Sequence, residues 1–451
     1  MARLLNIPKI ALFGLIGLLA GLLLTACESK GPEPAPTPLP GSIENGEIKV
    51  WAWGAGSKGL QANLAGFRQA YPNIKVNLLN VEPAELYDKL DAGLRAGGVG
   101  LPDIVQVETE RLQFFTTKFP EGFADLRSWA SKYEGQYDSL PWMVGRRIGR
   151  IRAIPWNSEP VGLFYRADLW QQAGIDPKQL ETWDDYIVAG QKLRASYPNL
   201  KPLALNLDNE TLFRVLMSQQ EATYFTSDGK INLASPEAVK ALTLIKQLYT
   251  NGLLLALPDQ SEVIAAVRDN RAASYVADPS WAASLRETAP EMAGKWGVLP
   301  LPALVQAGER SASLGGSMLA VLRTGKNQEA ASAFTEYCLA TKENQNLMLK
   351  QVGLFPSYFP AYDDLLYSSP QPYFNNEPIW QFFADQVRQL KPVNYTHDFE
   401  AAAAAANTAQ LLALVKLDPA QALQKKANDL KEQTAREVFK LGLTDNKKRP
   451  G

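Results

Sequence analysis

Three carboxylates and one arginine in this chain have the types and spacing of groups that hold polar ligands. Glu108 and Glu110 follow a buried run at 103–107, Arg111 comes directly after them, and Glu159 lies further along the chain. Such groups form strong charge-assisted hydrogen bonds to hydroxyl-rich or charged ligands. Two acids could also cleave a glycosidic bond. Because Glu108 and Glu110 share one loop and no partner acid is visibly placed across a bond, no catalytic pair stands out.

A glycine-rich segment at 54–59 reads G-A-G-S-K-G between a predicted strand and a predicted helix. This is formally the dinucleotide fingerprint, with Glu82 in the position of the ribose-binding acid. The N-terminal sequence indicates export, however, and an exported protein meets no cytoplasmic nicotinamide pool. We therefore interpret the segment as a loop that leads into a helix, where the free N–H groups of the helix N-terminus, with Lys58, offer donors to hydroxyl or anionic oxygens.

Aromatic residues recur where the chain should change direction. Aromatic rings can cover the apolar C–H face of a sugar, and sugar hydroxyls bond to carboxylates, amides and guanidinium groups. Core packing is the alternative, and we expect it for about half of these residues. They are Trp156, Tyr165, Trp281, Phe355, Tyr395 and Phe399.

The N-terminal sequence predicts export and lipid attachment. Arg3 and Lys9 precede an apolar stretch at 10–26, which ends in Leu-Thr-Ala before Cys27. Cleavage before Cys27 and lipidation of that cysteine are the expected processing. The alternative, a transmembrane anchor, fits less well because the stretch is interrupted by glycines and is shorter than the ~20 residues of a comfortable span. The alternating prolines that follow, at 32–40, predict an extended tether.

Bulk composition excludes several classes of function. The 451 residues carry a formal net charge of −1, so no nucleic-acid footprint is visible. A single histidine, His397, excludes a His-rich metal site, and we expect neither a metal nor a cofactor. Cys27 and Cys338 are the two cysteines. If Cys27 is lipidated, Cys338 has no partner within the chain and is expected to be a small buried apolar residue.

The elements that position these groups alternate along the chain. Apolar patterns predict strands at 48–53, 74–79 and 103–107, with helices at 60–71 and 84–96 between them. Such alternation predicts an α/β fold with a parallel sheet covered on both faces. Ligands of open parallel sheets lie beyond the carboxyl ends of the strands. Trp53, the glycine-rich segment and the carboxylates that follow the third strand should therefore meet at one edge.

Together, the motifs resemble the extracellular solute-binding proteins of ATP-driven importers, in the branch that includes maltose-type and other sugar-binding lipoproteins. The resemblance spans roughly 47–441. Its motifs lie at 50–54, 66–76, 101–107, 153–156, 162–169, 182–186, 279–281, 296–302 and 315–317.

The resemblance implies a two-lobed periplasmic-binding-protein fold of type II, with hinge-connected open parallel or mixed sheets flanked by helices. We expect the chain to cross between the lobes near Ala153, Pro300 and Gly353. The expected organisation is a signal peptide at 1–26, a Pro-rich tether at 27–46, lobe 1 at 47–153 plus 301–352, lobe 2 at 154–300 plus 353–441, and a solvated tail at 442–451. The ligand would lie in the cleft, and the lobes would close on it.

By the same resemblance, the ligand contacts map to twelve residues. These are Trp53, Lys58, Glu108, Glu110, Arg111, Trp156, Glu159, Tyr165, Trp281, Gly316, Ser317 and Phe355. Trp183 fits the family pattern too, but we interpret it as packing at a helix start. The chain departs from the family at Arg166, where asparagine is common. A basic run (Arg146, Arg147, Arg150 and Arg152) is also unusual, and could be a solvated face, a membrane-proximal patch or a hint of an anionic ligand.

The sequence therefore predicts a non-enzymatic, lipid-anchored component of an ABC importer at the cell envelope, facing the periplasm or the cell exterior. It would capture a sugar, oligosaccharide or polyol-like solute and deliver it to the transmembrane permease subunits. We expect a monomer. The alternatives are an exported glycoside hydrolase that uses Glu108 or Glu159, and a lipoprotein that senses a ligand for a receptor.

Overall fold

The computed structural model describes residues 45–147, 149–391 and 395–440, with side chains up to residue 434. The predicted signal peptide, the tether up to residue 44 and the predicted tail lie outside these residues. Within the described residues, no helix is long and apolar enough to cross a membrane.

Twelve strands and seventeen α-helices form the described part of the chain. The strands are β1 (Gly46–Ala52), β2 (Ile74–Asn80), β3 (Ile104–Glu108), β4 (Arg146–Arg147), β5 (Arg150–Ile151), β6 (Ala153–Pro155), β7 (Gly162–Arg166), β8 (Leu203–Asn206), β9 (Leu254–Leu257), β10 (Ser274–Ala277), β11 (Trp296–Leu299) and β12 (Ser317–Val321). The helices are α1 (Gly54–Ala70), α2 (Pro83–Arg95), α3 (Thr109–Lys118), α4 (Arg127–Ala130), α5 (Ser139–Gly145), α6 (Ala167–Gln172), α7 (Trp183–Ser196), α8 (Thr211–Ser218), α9 (Pro236–Thr250), α10 (Gln260–Arg268), α11 (Ser280–Thr288), α12 (Gln328–Leu339), α13 (Lys342–Val352), α14 (Leu365–Ser368), α15 (Ile379–Gln389), α16 (Phe399–Val415) and α17 (Pro419–Lys440).

Lobe 1 is the part of the chain built around a five-stranded sheet of order β2-β1-β3-β12-β6. Strand β1 pairs in parallel with β2 and β3, while β12 pairs antiparallel with β3 and β6. Side chains alternate along β1, so Val50 joins the core beneath α1 and α12, and Trp51 joins the core beneath α2 and α3. The predicted strands at 48–53, 74–79 and 103–107 and the cover on both faces are confirmed. The prediction of a parallel sheet is wrong, because β12 runs antiparallel to β3 and β6 and makes the sheet mixed.

Helix α1 begins earlier than the sequence pattern predicts. The glycine-rich segment is its first turns rather than a loop, with Trp53 at the N-cap and Gly54 at a φ of +49°. A Cβ at Gly56 would lie 2.3 Å from the Gln106 Oε1, and one at Gly59 would lie 3.0 Å from Leu354. These two glycines therefore allow α1 to pack closely on its neighbours. Close packing accounts for the spacing of the glycines, so a bound phosphate is not needed to explain it.

Lobe 2 is built around a three-stranded antiparallel sheet of order β10-β7-β11 and a parallel pair, β8 and β9. Two of its helices begin at residues that cap helix N-termini. Thr182 and Asp185 form a capping box at the start of α7, and Ser235 caps α9 with Pro236 as its first residue. The alanine-rich run at 401–406 lies in α16, which packs against α17.

Three extended segments connect the lobes side by side. The Ser158 N–H donates to the Phe355 carbonyl at 2.9 Å, and the Glu159 N–H donates to the Gly315 carbonyl at 3.3 Å. Leu301, Ala312 and Leu314 pack in the lobe 2 core, so the second crossing lies closer to residue 315 than to the predicted Pro300. The other lobe limits stay a prediction.

Cys338 lies fully buried in α12, within the lobe 1 core, and burial raises the pKa of its thiol. We expect Cys338 to resist thiol reagents in the folded protein, because the thiolate that reacts with them is both disfavoured and inaccessible. In a Cys27→Ser variant, Ellman's reagent should react with Cys338 only after denaturant is added. Val99→Cys in the same background places a thiol at a side chain that is 76% exposed and should react at once. If Ellman's reagent reacts equally fast with the Cys27→Ser protein and with its Val99→Cys derivative in the absence of denaturant, the buried position of Cys338 is contradicted.

Candidate functional site

A cavity of about 160 Å³ lies where the carboxyl ends of β1 and β3 meet the segments that connect the lobes. Lobe 1 contributes part of its lining, the crossings contribute another part, and the start of α11 in lobe 2 closes it. The lining residues are Trp53, Ala55, Gly56, Gln106, Asn157, Ser158, Glu159, Asp278, Pro279, Ser280, Ser317, Gly353, Leu354 and Phe355.

A chain of hydrogen bonds holds the polar floor of this cavity. Gln106 accepts from the Trp53 N–H at 3.1 Å and donates to the Ser317 hydroxyl at 3.0 Å. Asn157 accepts from the Ser317 N–H at 2.9 Å and donates to the Glu159 carboxylate at 3.2 Å. The Ser317 hydroxyl oxygen accepts a hydrogen bond from the Gln106 amide. Its O–H is therefore left to donate to a bound molecule. The floor thus presents an oriented hydroxyl and an oriented carboxyl group.

Glu159 and Asp278 are the two acids of the cavity. Burial, with the repulsion of Asp278 and Glu110, raises the pKa of Glu159 well above its ordinary range. Burial also raises the pKa of Asp278, although the Ser280 N–H donates to its carboxylate at 2.7 Å. Within the described residues, no Lys or Arg forms an ion pair with either acid. These two carboxyl groups therefore compete for a proton.

Glu108 and Arg111 lie beside the cavity rather than in its lining. The Tyr87 hydroxyl donates to the Glu108 carboxylate at 3.1 Å, and its ring packs edge-on against Trp53 at 5.8 Å. The Arg111 guanidinium stacks 4.3 Å from the Tyr87 ring centre and pairs with Glu108 at 2.8 Å. It also pairs at 2.5 Å with Glu400 from α16 of lobe 2. This cluster separates the cavity from a larger groove.

That groove has a volume of about 740 Å³ and lies between α2 and α3 of lobe 1 and the C-terminal helices of lobe 2. Its lining includes Tyr87, Asp88, Asp91, Arg95, Arg111, Phe114, Lys118, His397 and Glu400. Aromatic, acidic and basic side chains thus alternate along a surface that both lobes form.

Glu110 forms a second ion pair between the lobes. Its carboxylate lies 3.3 Å from the Arg214 guanidinium of α8, and the two side chains are 11% and 18% exposed. Burial raises the pKa of Glu110 to about 7, against the attraction of Arg214. Glu110 is therefore occupied by a structural partner and does not line the cavity.

Three predicted aromatic contacts lie in hydrophobic cores instead of the cavity. Trp156 is fully buried, with its Nε1 3.2 Å from the Met348 sulfur. Tyr165 is 4% exposed in the lobe 2 core, and Trp281 is 2% exposed and packs on Tyr275 at 4.8 Å. Their positions do not support the predicted ligand contacts, because a large apolar ring next to a strand end gains most by packing inward. Phe355 is also buried but does line the cavity.

The remaining predicted residues have other surroundings. Lys58 is exposed on α1 and does not line the cavity. Gly316 has a φ of +139°, and a Cβ there would lie 2.0 Å from the Asn157 carbonyl oxygen, so it serves the crossing of the chain. Arg166 is buried and pairs with Asp168 at 2.7 Å, which explains this departure from the family within lobe 2.

The basic run lies at the far end of lobe 1 from the cavity. Ala153, next to Arg152, pairs with Ala320, whereas Ser317 at the other end of β12 pairs with Glu108. Arg150 forms an ion pair with Glu121 at 3.1 Å, and Arg152 is buried. The run therefore gives no support to an anionic ligand in the cavity.

Several site residues have little or no signal in the sequence. Gln106 could have been noticed as a polar residue inside the apolar strand β3, and Asp278 as an acid before the Pro-Ser start of α11. Asn157 lies among the crossings. Arg214 lies more than 100 residues from its partner Glu110, and Glu400 lies more than 280 residues from its partner Arg111. Only folding brings these pairs together. Within the described residues, no group of three or more His, Cys, Asp or Glu could hold a metal ion.

Comparison with known proteins identifies the family. The model of the family described as bacterial extracellular solute-binding protein matches residues 52–345, more than half of the chain. A lactose-binding protein of Rhizobium radiobacter is 28% identical over 405 residues, which cover 85% of this chain and 92% of that protein. An arabinooligosaccharide-binding protein of Bacillus subtilis (strain 168) is 27% identical over 380 residues, which cover 81% of this chain and 87% of that protein.

A solved structure is similar in fold over most of the chain. The sugar-binding protein MalE from the phytopathogen Xanthomonas citri superposes with a TM-score of 0.75 at 20% identity, covering 87% of this chain and 99% of that one. The expected α/β fold with two lobes is thereby confirmed.

Glu110 should make stability depend on pH. Its pKa rises from 4.5 in the unfolded chain to about 7 in the folded protein, so the folded state binds the proton more tightly. The free energy of unfolding should therefore fall as pH rises from about 4.5 to 7, by up to about 3 kcal/mol. Glu110→Gln should shrink the difference between about pH 5 and pH 8, measured by urea unfolding, by about 2 kcal/mol. Glu82→Gln, at an exposed position, should leave it unchanged, and equal behaviour of the two variants would contradict this role for Glu110.

Proposed function

Because the chain belongs to the family of bacterial extracellular solute-binding proteins, we propose that it captures a sugar, oligosaccharide or polyol-like solute between its lobes. It then delivers this solute to the permease of an ABC importer. The observation that carries the proposal is the 160 Å³ cavity, to which both lobes and the crossings contribute. The lactose- and arabinooligosaccharide-binding relatives support a carbohydrate ligand.

The lining of the cavity suits a sugar ring. The half-buried Trp53 offers an aromatic surface for the C–H face, and Ser317 and Glu159 offer hydrogen-bonding groups for hydroxyls. The volume lies below the ~300 Å³ at which pockets for larger ligands begin, so the cavity takes about one ring. Further units of an oligosaccharide would extend past Tyr87 into the 740 Å³ groove.

Hinge closure is supported by the contacts between the lobes. Glu110 and Arg111 of α3 pair with Arg214 and Glu400 of lobe 2. We infer that these two ion pairs form when the lobes close and break when they open, while the three crossings bend. The closed form would be the one that the permease subunits recognise.

The protein acts as a binding protein rather than as an enzyme in this proposal. Glu108, one of the two acids available to a glycoside hydrolase, is held by Tyr87 and Arg111 outside the cavity. Glu159 therefore cannot use Glu108 as the second acid that hydrolysis needs, and Asp278 is the other acid of the cavity. Its cavity neighbour Asp278 lies at the start of α11, where the Ser280 N–H holds it.

We further propose that the mature protein is a monomer anchored by lipid on Cys27 at the cell envelope, facing the periplasm or the cell exterior. The lipobox before Cys27 and the alternating prolines after it support this placement. A polyproline tether rises about 3.1 Å per residue, so residues 27–46 could hold the lobes on the order of 50 Å from the membrane.

A thermal-shift screen tests the ligand class. We expect at least one of lactose, arabinotriose and sorbitol to raise the melting temperature by several degrees, because a ligand that binds only the folded state adds about 2.7 kcal/mol at 100 times its Kd. Trp53→Ala should weaken this binding about tenfold through loss of the aromatic surface. Leu365→Ala, at an 82% exposed side chain, serves as the control. Stabilisation by glycerol 3-phosphate alone would show that the proposed ligand class is wrong.

Lipid attachment can be tested in cells that make the full chain. Cys27→Ala should abolish incorporation of a labelled fatty acid and cleavage before residue 27, so that the protein migrates as its larger precursor. Cys338→Ala changes the other cysteine and should leave both properties intact. Membrane recovery of a labelled Cys27→Ala protein would contradict a lipid on that residue.

A further inference from the structure

We propose that Glu159 and Asp278 select the ligand by its charge, so that the cavity prefers a glycoside bearing an ammonium group over its neutral counterpart and rejects phosphorylated and carboxylated sugars. This inference rests on the proposed function, since it assumes that the cavity binds a carbohydrate. It names the class of solute that the same site takes, namely amino sugars.

Sheet register brings the two acids to one place. Strands β7 and β10 run antiparallel with Gly162 opposite Ala277, so the residues before β7 and after β10 leave the same edge of the sheet. Glu159 lies three residues before Gly162, and Asp278 follows Ala277 directly. Both then line the same 160 Å³ cavity.

The charge of this cavity is not neutralised from within the protein. Among the described residues, Glu159 receives the Asn157 amide at 3.2 Å and Asp278 receives the Ser280 N–H at 2.7 Å, and neither acid has an ion-pair partner. The nearby cations are used elsewhere. Arg214 pairs with Glu110 and lies 3.9 Å from Glu210, while Arg111 pairs with Glu108 and Glu400.

The two acids have different surroundings. Asp278 precedes the nine-residue helix α11, and the helix N-terminus and the Ser280 N–H favour its charged form, although burial raises its pKa. Glu159 faces Asp278, Glu110 and Glu108, with Arg214 as the opposing cation, and burial and repulsion raise its pKa. A proton held by the pair therefore lowers the negative charge of the empty cavity, and a bound cation takes over that part.

Each class of ligand meets a different balance of charge. An ammonium group pairs with Asp278 and lowers the cost of ionising Glu159, which then releases its proton to solvent and forms a second ion pair. A neutral sugar leaves the proton in place, and the Glu159 O–H donates to a hydroxyl oxygen. A phosphate or carboxylate faces Asp278 with no cation in the lining, so its burial is opposed by repulsion and by loss of water.

Two matched sets of sugars separate these outcomes in isothermal titration calorimetry of the intact protein at neutral pH. One set is galactose, galactosamine and galactose 6-phosphate, and the other is lactose, lactosamine with a free amine, and lactobionate. We expect the amine of at least one set to bind about tenfold more tightly than its neutral partner, and the anion at least tenfold more weakly. Titrations in buffers of different ionisation enthalpy should show proton release for the amine alone.

Variants tie the preference to the two acids. Asp278→Asn should bring the amine and the neutral sugar to within about twofold of each other. Glu159→Gln, whose side chain cannot ionise, should abolish proton release on binding of the amine. Glu82→Gln, at an exposed acid outside the cavity, should change nothing. Circular dichroism and the melting temperature confirm that each variant folds.

The outcomes separate this inference from the proposed function. If no sugar of either set binds the wild type but arabinotriose or sorbitol raises the melting temperature, the inference fails and the proposed function stands; if none of these compounds binds, both fail. If neutral sugars bind but the amine has no advantage, or its advantage survives in Asp278→Asn, the charge selection is wrong while the proposed function stands. Tighter binding of an anion than of its neutral partner would likewise overturn the inference.

Discussion

Three chain segments that pass between the lobes in contact with one another are the constraint on which the rest of the structure depends. The Trp156 N–H donates to the Ser317 carbonyl, and the Ser158 N–H donates to the Phe355 carbonyl, both at 2.9 Å. This approach leaves no room for a side chain at Gly316, where a Cβ would lie 2.0 Å from the Asn157 carbonyl oxygen. The same segments supply Asn157, Glu159 and Phe355 to the cavity, so the connection between the lobes and the lining of the cavity share one stretch of backbone.

Charge is distributed unevenly around this hinge. The outer pairs Arg111–Glu400 and Arg214–Glu110 join the lobes, and each acid has a cation within reach. Burying the Arg214–Glu110 pair costs nearly as much solvation as the attraction returns, and the Arg111–Glu400 pair, 31% and 49% exposed, is weakened by water. The main effect of both pairs is therefore on the orientation of the lobes rather than on stability. In the part of the chain that the structure describes, the acids inside the cavity have no such cation. Glu159 and Asp278 face the space without a cation, so any charge balance must come from a proton or from the ligand.

Much of the fold was predictable because its signals are local. Alternating apolar residues predicted β1, β2 and β3, and Trp183, interpreted as packing at a helix start, is the buried first residue of α7. The start of α1 was missed, since six residues with three glycines indicate a loop by propensity. Close packing of Gly56 against Gln106 outweighs that propensity in the folded protein. Of the twelve residues predicted to contact ligand, four line the cavity: Trp53, Glu159, Ser317 and Phe355.

The sequence by itself determined the order of the elements in the described part of the chain and the sheet edge where polar groups gather. These follow from periodicity and from short motifs, in which interacting residues are neighbours along the chain. Only the tertiary structure decided that Trp156 packs into a core while Trp53 lines the cavity, and that Asp278 stands beside Glu159. The physical reason is that burial and electrostatic coupling depend on distances in space. For residues more than 100 positions apart, folding alone determines those distances.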